Sequence, residues 1–348
     1  MRLGVKYDGF SERIGAALNL VPVPIGLSMF GMPIARSLQV AQRTGVLGLL
    51  AQAPASSPEV ASKLGLREQG TALLLDVLTV SGVVSLRGDG RYALDARAAK
   101  WLRPDSSTYV GDFLADTENY WEWWAGLEDL VRDGRSIELH DRGPDDPYWQ
   151  SYITGQYQLA RLSSAAVAKA VALPRGATSL LDVGGAHGEY SMALCRGNPD
   201  LHSVVVDLPG SARIGREIVA ANGMAERVSY VEGDMFSVEF GGPHDGALAF
   251  NIVHHLSPEV ARELFSRIAE SLRPGAPLCV LDLYDRPAGK RPDSGSYLGL
   301  FFHLTSGADT YSIPEVSAWL AESGFGAVKV RTLPQLPGLA LLRSERLG

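Results

Sequence analysis

From about residue 176 onward, short apolar runs alternate with amphipathic helical segments. This alternation restricts the second half of the chain to a sheet layered between helices. Candidate strands are 179–183, 203–207, 228–231, 246–252, 277–283, 327–331 and 338–343. Residues 258–273 place Val260, Leu264, Phe265, Ile268 and Leu272 on one stripe, with Ser257 as the cap, Pro258 at the first position and Gly275 beyond the end. Ser312 and Glu315 have capping-box spacing at a further helix start. The expected architecture is α/β, a doubly wound parallel sheet.

The first of these strands runs into a glycine-rich turn, Leu181-Asp182-Val183-Gly184-Gly185-Ala186-His187-Gly188-Glu189. Glycine there lets a ligand approach the backbone closely. The dinucleotide fingerprint fails, because Ala186 and Glu189 stand where the second and third glycines belong. A P-loop fails as well, since no Gly-Lys-Ser/Thr follows. What remains is D-x-G-x-x-x-G, with Asp207 at the tip of the next strand, 19 residues past Gly188. A carboxylate at that tip is placed to accept both hydroxyls of a ribose. After the third strand, Asp234 is expected to accept from an adenine amine, with Leu208 and Met235 packing the ring faces. Any one of these acids alone can be a helix or turn cap. In this order and spacing they favour an adenosine-type ligand without a pyrophosphate, which points to S-adenosylmethionine.

The charge balance, 39 acids against 32 bases, gives no pull toward phosphate backbones. Cys195 and Cys279 lie far apart in apolar surroundings and outside any CxxC, so a reducing, cytoplasmic location is expected and a structural metal is not. Residues 14–35 carry no charge and have the length of a membrane span, but Pro22, Pro24 and Pro33 interrupt them. Buried or subunit-facing helices are the expectation for this stretch.

Residues 1 to about 105 read as mainly helical. Ser57-Pro58-Glu59 marks a helix start, with Ser57 as the cap, and a second helix is expected over 68–80. Val83–Leu86 and Tyr92–Leu94 flank Gly88-Asp89-Gly90 as a hairpin, completing the outline of a winged helix. Such an outline suggests DNA binding, as in a cofactor-sensing regulator. The second helix, however, offers Leu, Val, Ala and Asp76 where base-reading side chains belong, so no nucleic-acid partner is expected. Residues 106–175 are helical again and aromatic-rich, with Tyr120, Trp121, Trp123, Trp124, Tyr148, Trp149, Tyr152 and Tyr157 around a polar loop at 141–147. These rings read either as core packing or as the wall of a site for a flat apolar ligand; Trp121, Trp124, Tyr157 and, further on, Phe302 are the candidates for the latter.

At LLDVGGAHG, VVVDLPG and GDMF the chain resembles the class I S-adenosylmethionine-dependent methyltransferases. More narrowly, it resembles the small-molecule O-methyltransferases that include plant caffeic acid-type enzymes and bacterial enzymes of natural-product tailoring. The likeness covers nearly the whole chain; MPIARSLQVAQRTGVLGLLA is similar to the first helices of that family's dimerisation domain. The resemblance implies three regions: a winged-helix-like dimerisation domain at 1–105, a helical linker and substrate-pocket region at 106–175 and a cofactor domain at 176–348. It implies a homodimer and a small-molecule hydroxyl acceptor. S-adenosylmethionine would be held by Asp182, Gly184, Gly185, Gly188, Asp207, Leu208, Asp234, Met235 and Asn251, with S-adenosylhomocysteine as the product. The family's base is a His in a His-Asp-Trp context, which places His254 on the base; His255 and Leu256 replace the Asp and Trp, so His255 stays a second candidate. Asp282 and Asp309 fall where the family has its supporting acids. The substituted context also leaves open another tailoring reaction on the same fold, such as hydroxylation, decarboxylation or cyclisation.

Overall fold

The computed structural model describes residues 9–20, 22–285, 295–307, 310–336 and 338–348. Contacts divide the chain into two compact units, Met1–Glu118 and Asn119–Gly348.

In the first unit, the helices Phe10–Ala17 and Val23–Arg43 cover the uncharged stretch. No helix among the described residues is long and apolar enough to cross a membrane. Burial is also not the fate of this segment in the single chain: Phe10–Ala17 buries nothing, and Val23–Arg43 buries only Gln39 and Ala41. Helices Ser57–Leu64 and Glu68–Val80 precede the antiparallel pair β1 (Val84–Leu86) and β2 (Tyr92–Leu94). The cap of the first of these is Ser56 rather than Ser57. Ser56 and Glu59 form the reciprocal box, the spacing that lets both orphan backbone donors be satisfied. Val46, Leu47, Leu50, Val60, Leu75, Leu78 and Val84 fill the core of this unit.

The second unit is built on a seven-stranded sheet. Its strands are β3 (Ser179–Val183), β4 (His202–Asp207), β5 (Val228–Glu232), β6 (Ala247–Phe250), β7 (Pro277–Leu283), β8 (Lys329–Thr332) and β9 (Leu339–Glu345), in the order β5-β4-β3-β6-β7-β9-β8. The strands from β5 to β7 are parallel, as expected, but β9 enters antiparallel to both β7 and β8. Strand polarity leaves no mark on the apolar pattern, so this reversal is a finding of the structure. Alternate residues feed opposite faces: Leu181, Val183, Ala247 and Ala249 join one core cluster, Leu180, Leu248 and Phe250 the other. Both faces are therefore apolar, which is why these strands read as continuous hydrophobic runs. Helices Pro258–Ser271 and Ile313–Glu322 cover the first face through Leu264, Phe265, Val316 and Trp319; Ser164–Val171 and Glu189–Gly197 cover the second through Val167, Val171, Met192 and Leu194.

β3 pairs with β4 on one side and β6 on the other, so the chain order reverses at β3. A crevice forms at the carboxyl ends of strands at such a point, and ligands of open α/β sheets bind there.

Candidate active site

The glycine turn and the turn after β6 both open onto this crevice. They border a cavity of about 300 Å³, within the range of small-molecule sites. Gly184 takes φ +66° at the end of β3, and a Cβ there would overlap Ile252 from the opposite turn. Gly188 takes φ +69° and starts the helix Glu189–Gly197; a Cβ would lie 2.6 Å from the Tyr230 hydroxyl. Glycine at 184 lets the two turns stand this close, and glycine at 188 lets the helix start pack on Tyr230 of β5.

Two acids, Asp182 buried and Asp207 half-buried, shape the chemistry of this wall. Asp182 is 1% exposed; its Oδ2 accepts from the Ser191 hydroxyl at 2.6 Å, while Oδ1 has no hydrogen-bond partner. Burial pushes its carboxyl up to about 7, opposed by Ser191 and assisted by nearby Asp207. Asp207, at the tip of β4, accepts from the Ala186 N–H at 2.7 Å and from the Leu208 N–H at 2.8 Å. Burial raises it to about 6 against those two donors and Ser211. Asp234 borders the same cavity with its carboxylate turned to the Phe236 N–H (3.0 Å) and the Ser237 hydroxyl (3.3 Å). Gly185, Leu208, Met235 and Asn251 complete the expected cofactor residues on this wall; Gly188 stands behind it as the helix start.

His254 and Asp282 meet just outside this lining. Asp282, 1% exposed on β7, accepts from His254 Nδ1 at 2.7 Å and from the backbone N–H groups of Val253 (3.0 Å) and Leu283 (2.7 Å). These bonds fix the imidazole with Nδ1 toward the acid and leave the Nε2 lone pair available. Phe302 stacks on the His254 ring, with centroids 3.7 Å apart and planes at 14°. His255, in contrast, lines the cavity. Burial and the neighbouring His254 and His140 lower its imidazole well below the ordinary value.

The remaining expected residues are dispersed. Trp121 and Trp124 are not among the cavity-lining residues, and Trp124 packs on Phe301. Tyr157 is turned away to Asn222, whose amide donates to its hydroxyl at 3.0 Å. Asp309 lies outside the described residues. The cavity wall instead takes Trp149, Tyr152, Ile153 and Gln156 from the helix Tyr148–Arg161, and His140 from the loop before it. The aromatic cluster signalled a wall at this helix but not which rings face inward. His140 carried no sequence signal at all.

The model of the O-methyltransferase domain matches residues 124–326, and that of the O-methyltransferase dimerisation domain matches residues 28–104. The chain belongs to the O-methyltransferase family. It is 27% identical, over 84% of its length and 86% of the relative's, to the 3-hydroxy-5-methyl-1-naphthoate 3-O-methyltransferase of Streptomyces sahachiroi. It is 28% identical, over 83% of its length and 85% of the relative's, to the mitomycin biosynthesis 6-O-methyltransferase of Streptomyces lavendulae. Among solved structures, human N-acetylserotonin methyltransferase in complex with S-adenosylmethionine superposes with a TM-score of 0.82 at 17% identity, covering 99% of this chain and all of that one. The cofactor of this O-methyltransferase is S-adenosylmethionine. The residues present fit that cofactor: three acids line the cavity and would favour a cationic ligand, Asp182 Oδ1 lacks any internal donor, and Gly184 and Gly185 put backbone rather than side chains on the wall.

Proposed function

We propose that this O-methyltransferase acts on a hydroxyl of an aromatic or polyketide-like small molecule, with His254 as general base. The observation that carries the reading is the 2.7 Å contact between His254 Nδ1 and Asp282, next to the cavity-lining His255. When bound, S-adenosylmethionine supplies a methyl group already activated by its sulfonium. What is left to the protein is alignment of the acceptor oxygen and removal of its proton. Asp282 keeps the Nδ1 proton in place, so Nε2 takes the hydroxyl proton, and the imidazolium that forms stays paired with the carboxylate. His255 has no such carboxylate. Its buried imidazole disfavours the charged form, so it serves as a neutral hydrogen-bonding group.

The activities of the two Streptomyces relatives support a ring-borne oxygen as the acceptor. The match to a dimerisation domain, together with the uncovered apolar helix Val23–Arg43, supports a homodimer. Two free, buried cysteines support a cytoplasmic location. The deciding experiment incubates the enzyme with methyl-labelled S-adenosylmethionine and a panel of phenols. Label on oxygen is expected, and His254→Ala lowers turnover by roughly 10²-fold or more. Full activity in that variant removes His254 from the mechanism, and a converted but unlabelled product points to the other tailoring chemistry.

A further inference from the structure

His140 and His255 both border the cavity, and their rings meet edge to face with centroids 5.2 Å apart. His255 in turn lies 4.1 Å from the His254 ring. Three imidazoles thus stand in a row, and Asp282 pairs with the one at the far end. Nδ1 of His140 and Nδ1 of His255 are each buried without a hydrogen-bond partner. Unpaired polar atoms of this kind are costly and call for a reason. His140 is not free to turn toward solvent, because it stacks on Trp149 at 5.9 Å and packs against Tyr148 and Tyr152.

Charge decides what such a pair can hold. Burial, then the charges of His254 and Arg142, lowers His140 to about 4, and His255 lies well below its ordinary value. Both are neutral at pH 7, each with one N–H donor and one lone pair. The described lining contains Asp182, Asp207 and Asp234 but neither Lys nor Arg. Those acids lie on the cofactor wall, and although the charge of Arg142 reaches His140, the two neutral imidazoles themselves offer an acceptor carboxylate no ion pair. An uncharged hydroxyl or carbonyl would meet a donor and an acceptor.

We infer that His140 and His255 form a specificity pair that holds a second, uncharged oxygen of the acceptor, next to the hydroxyl presented to His254. The substrates are then neutral ring systems bearing two neighbouring oxygens. This rests on the methyl-transfer reading only for the placement of the reacting hydroxyl.

The test is calorimetry on protein loaded with S-adenosylhomocysteine, using 2,3-dihydroxynaphthalene, 2-naphthol and 3-hydroxy-2-naphthoate as probes. The diol is expected to bind at least about fivefold more tightly than either other probe, the worth of one added hydrogen bond. His140→Phe keeps a stacking ring but removes both nitrogens, and should bring the diol down to the level of 2-naphthol. His140→Gln, which has a donor and an acceptor, should restore part of the difference. Equal binding of the probes, tighter binding of the naphthoate, no binding of the diol up to its solubility, or an intact preference in His140→Phe overturns the pair. Labelled methyl transfer is scored separately on the same diol: binding preference without transfer supports the pair while sinking the hydroxyl-methylation reading.

Discussion

The Tyr230 hydroxyl donates a 3.0 Å hydrogen bond to the Ala186 carbonyl. From the other side, the Ala186 N–H donates to Asp207 at 2.7 Å. Ala186 sits at φ +44°, where a Cβ costs roughly 1–2 kcal/mol, so both peptide groups hold the turn in a conformation it would otherwise leave. Tyr230→Phe removes one of these holds. The affinity for S-adenosylmethionine should fall by about five- to tenfold, the worth of one hydrogen bond. Ala186→Gly in the same background should recover most of it, because glycine accepts positive φ without strain. Calorimetry on the single and double variants checks this, and an unchanged affinity in Tyr230→Phe rules out the positioning role.

Asp282 calls for a gentler substitution than alanine. Its carboxylate gathers donors from Val253, His254 and Leu283, so Asp282→Ala would leave several buried N–H groups unpaired and report on folding. Asp282→Asn keeps the shape and one accepting oxygen but loses the charge proposed to stabilise the imidazolium; its NH2 must face a backbone N–H, so the melting temperature is measured beside the kinetics. Steady-state kinetics should show kcat lower by roughly 10²-fold or more, with little change in KM for S-adenosylmethionine. Turnover within threefold of wild type would mean that the base does not rely on this acid.

Asp182 and Asp207 make cofactor binding sensitive to pH in a defined direction. Their folded values, about 7 and about 6, lie above the unfolded value of about 3.9, so the empty folded protein holds protons that the unfolded chain releases. Stability of the empty protein is therefore lost as pH rises from about 4 to about 7, and the penalty is complete above that window. A bound cation favours the carboxylates. Affinity for S-adenosylmethionine should then rise between pH 5.5 and 8, with proton release on binding that Asp182→Asn diminishes. A flat affinity profile across that range would place Asp182 away from the cofactor's charge.

The glycine-turn wall of the cavity was legible in the sequence because its signals are local. Strand pattern, glycines and strand-tip acids occur within single turns, and the fold brings Asp182, Gly184 and Asp207 to one cavity. The opposite wall was not. Whether Trp149 or Trp124 faces the cavity depends on how the helices Tyr148–Arg161 and Tyr120–Ala125 are each rotated against their neighbours, which local pattern does not fix. β6 was expected to reach residue 252, over GALAFNI. It stops at Phe250, since Asn251 turns to φ +54°. That turn delivers His254 to Asp282, so the local rule fails at the proposed base.

The apolar face of Val23–Arg43 gives the last prediction. Leu27, Met29, Phe30 and Met32 are 54–61% exposed in the single chain, and an uncovered apolar stretch of this kind marks an interaction surface. A second copy of the chain is the proposed cover. Sedimentation at micromolar concentration should give the mass of a dimer for the wild type. Phe30→Asp places a charge in the middle of that face, where desolvation without a partner is unfavourable, and should shift the protein to the monomer mass. The variant should still melt cooperatively, with a midpoint lowered only by the lost association, because Phe30 lies outside the core of its own unit formed by Val46, Leu47, Leu75 and Leu78. A wild-type monomer, or a Phe30→Asp dimer of undiminished stability, would assign this face to something other than self-association.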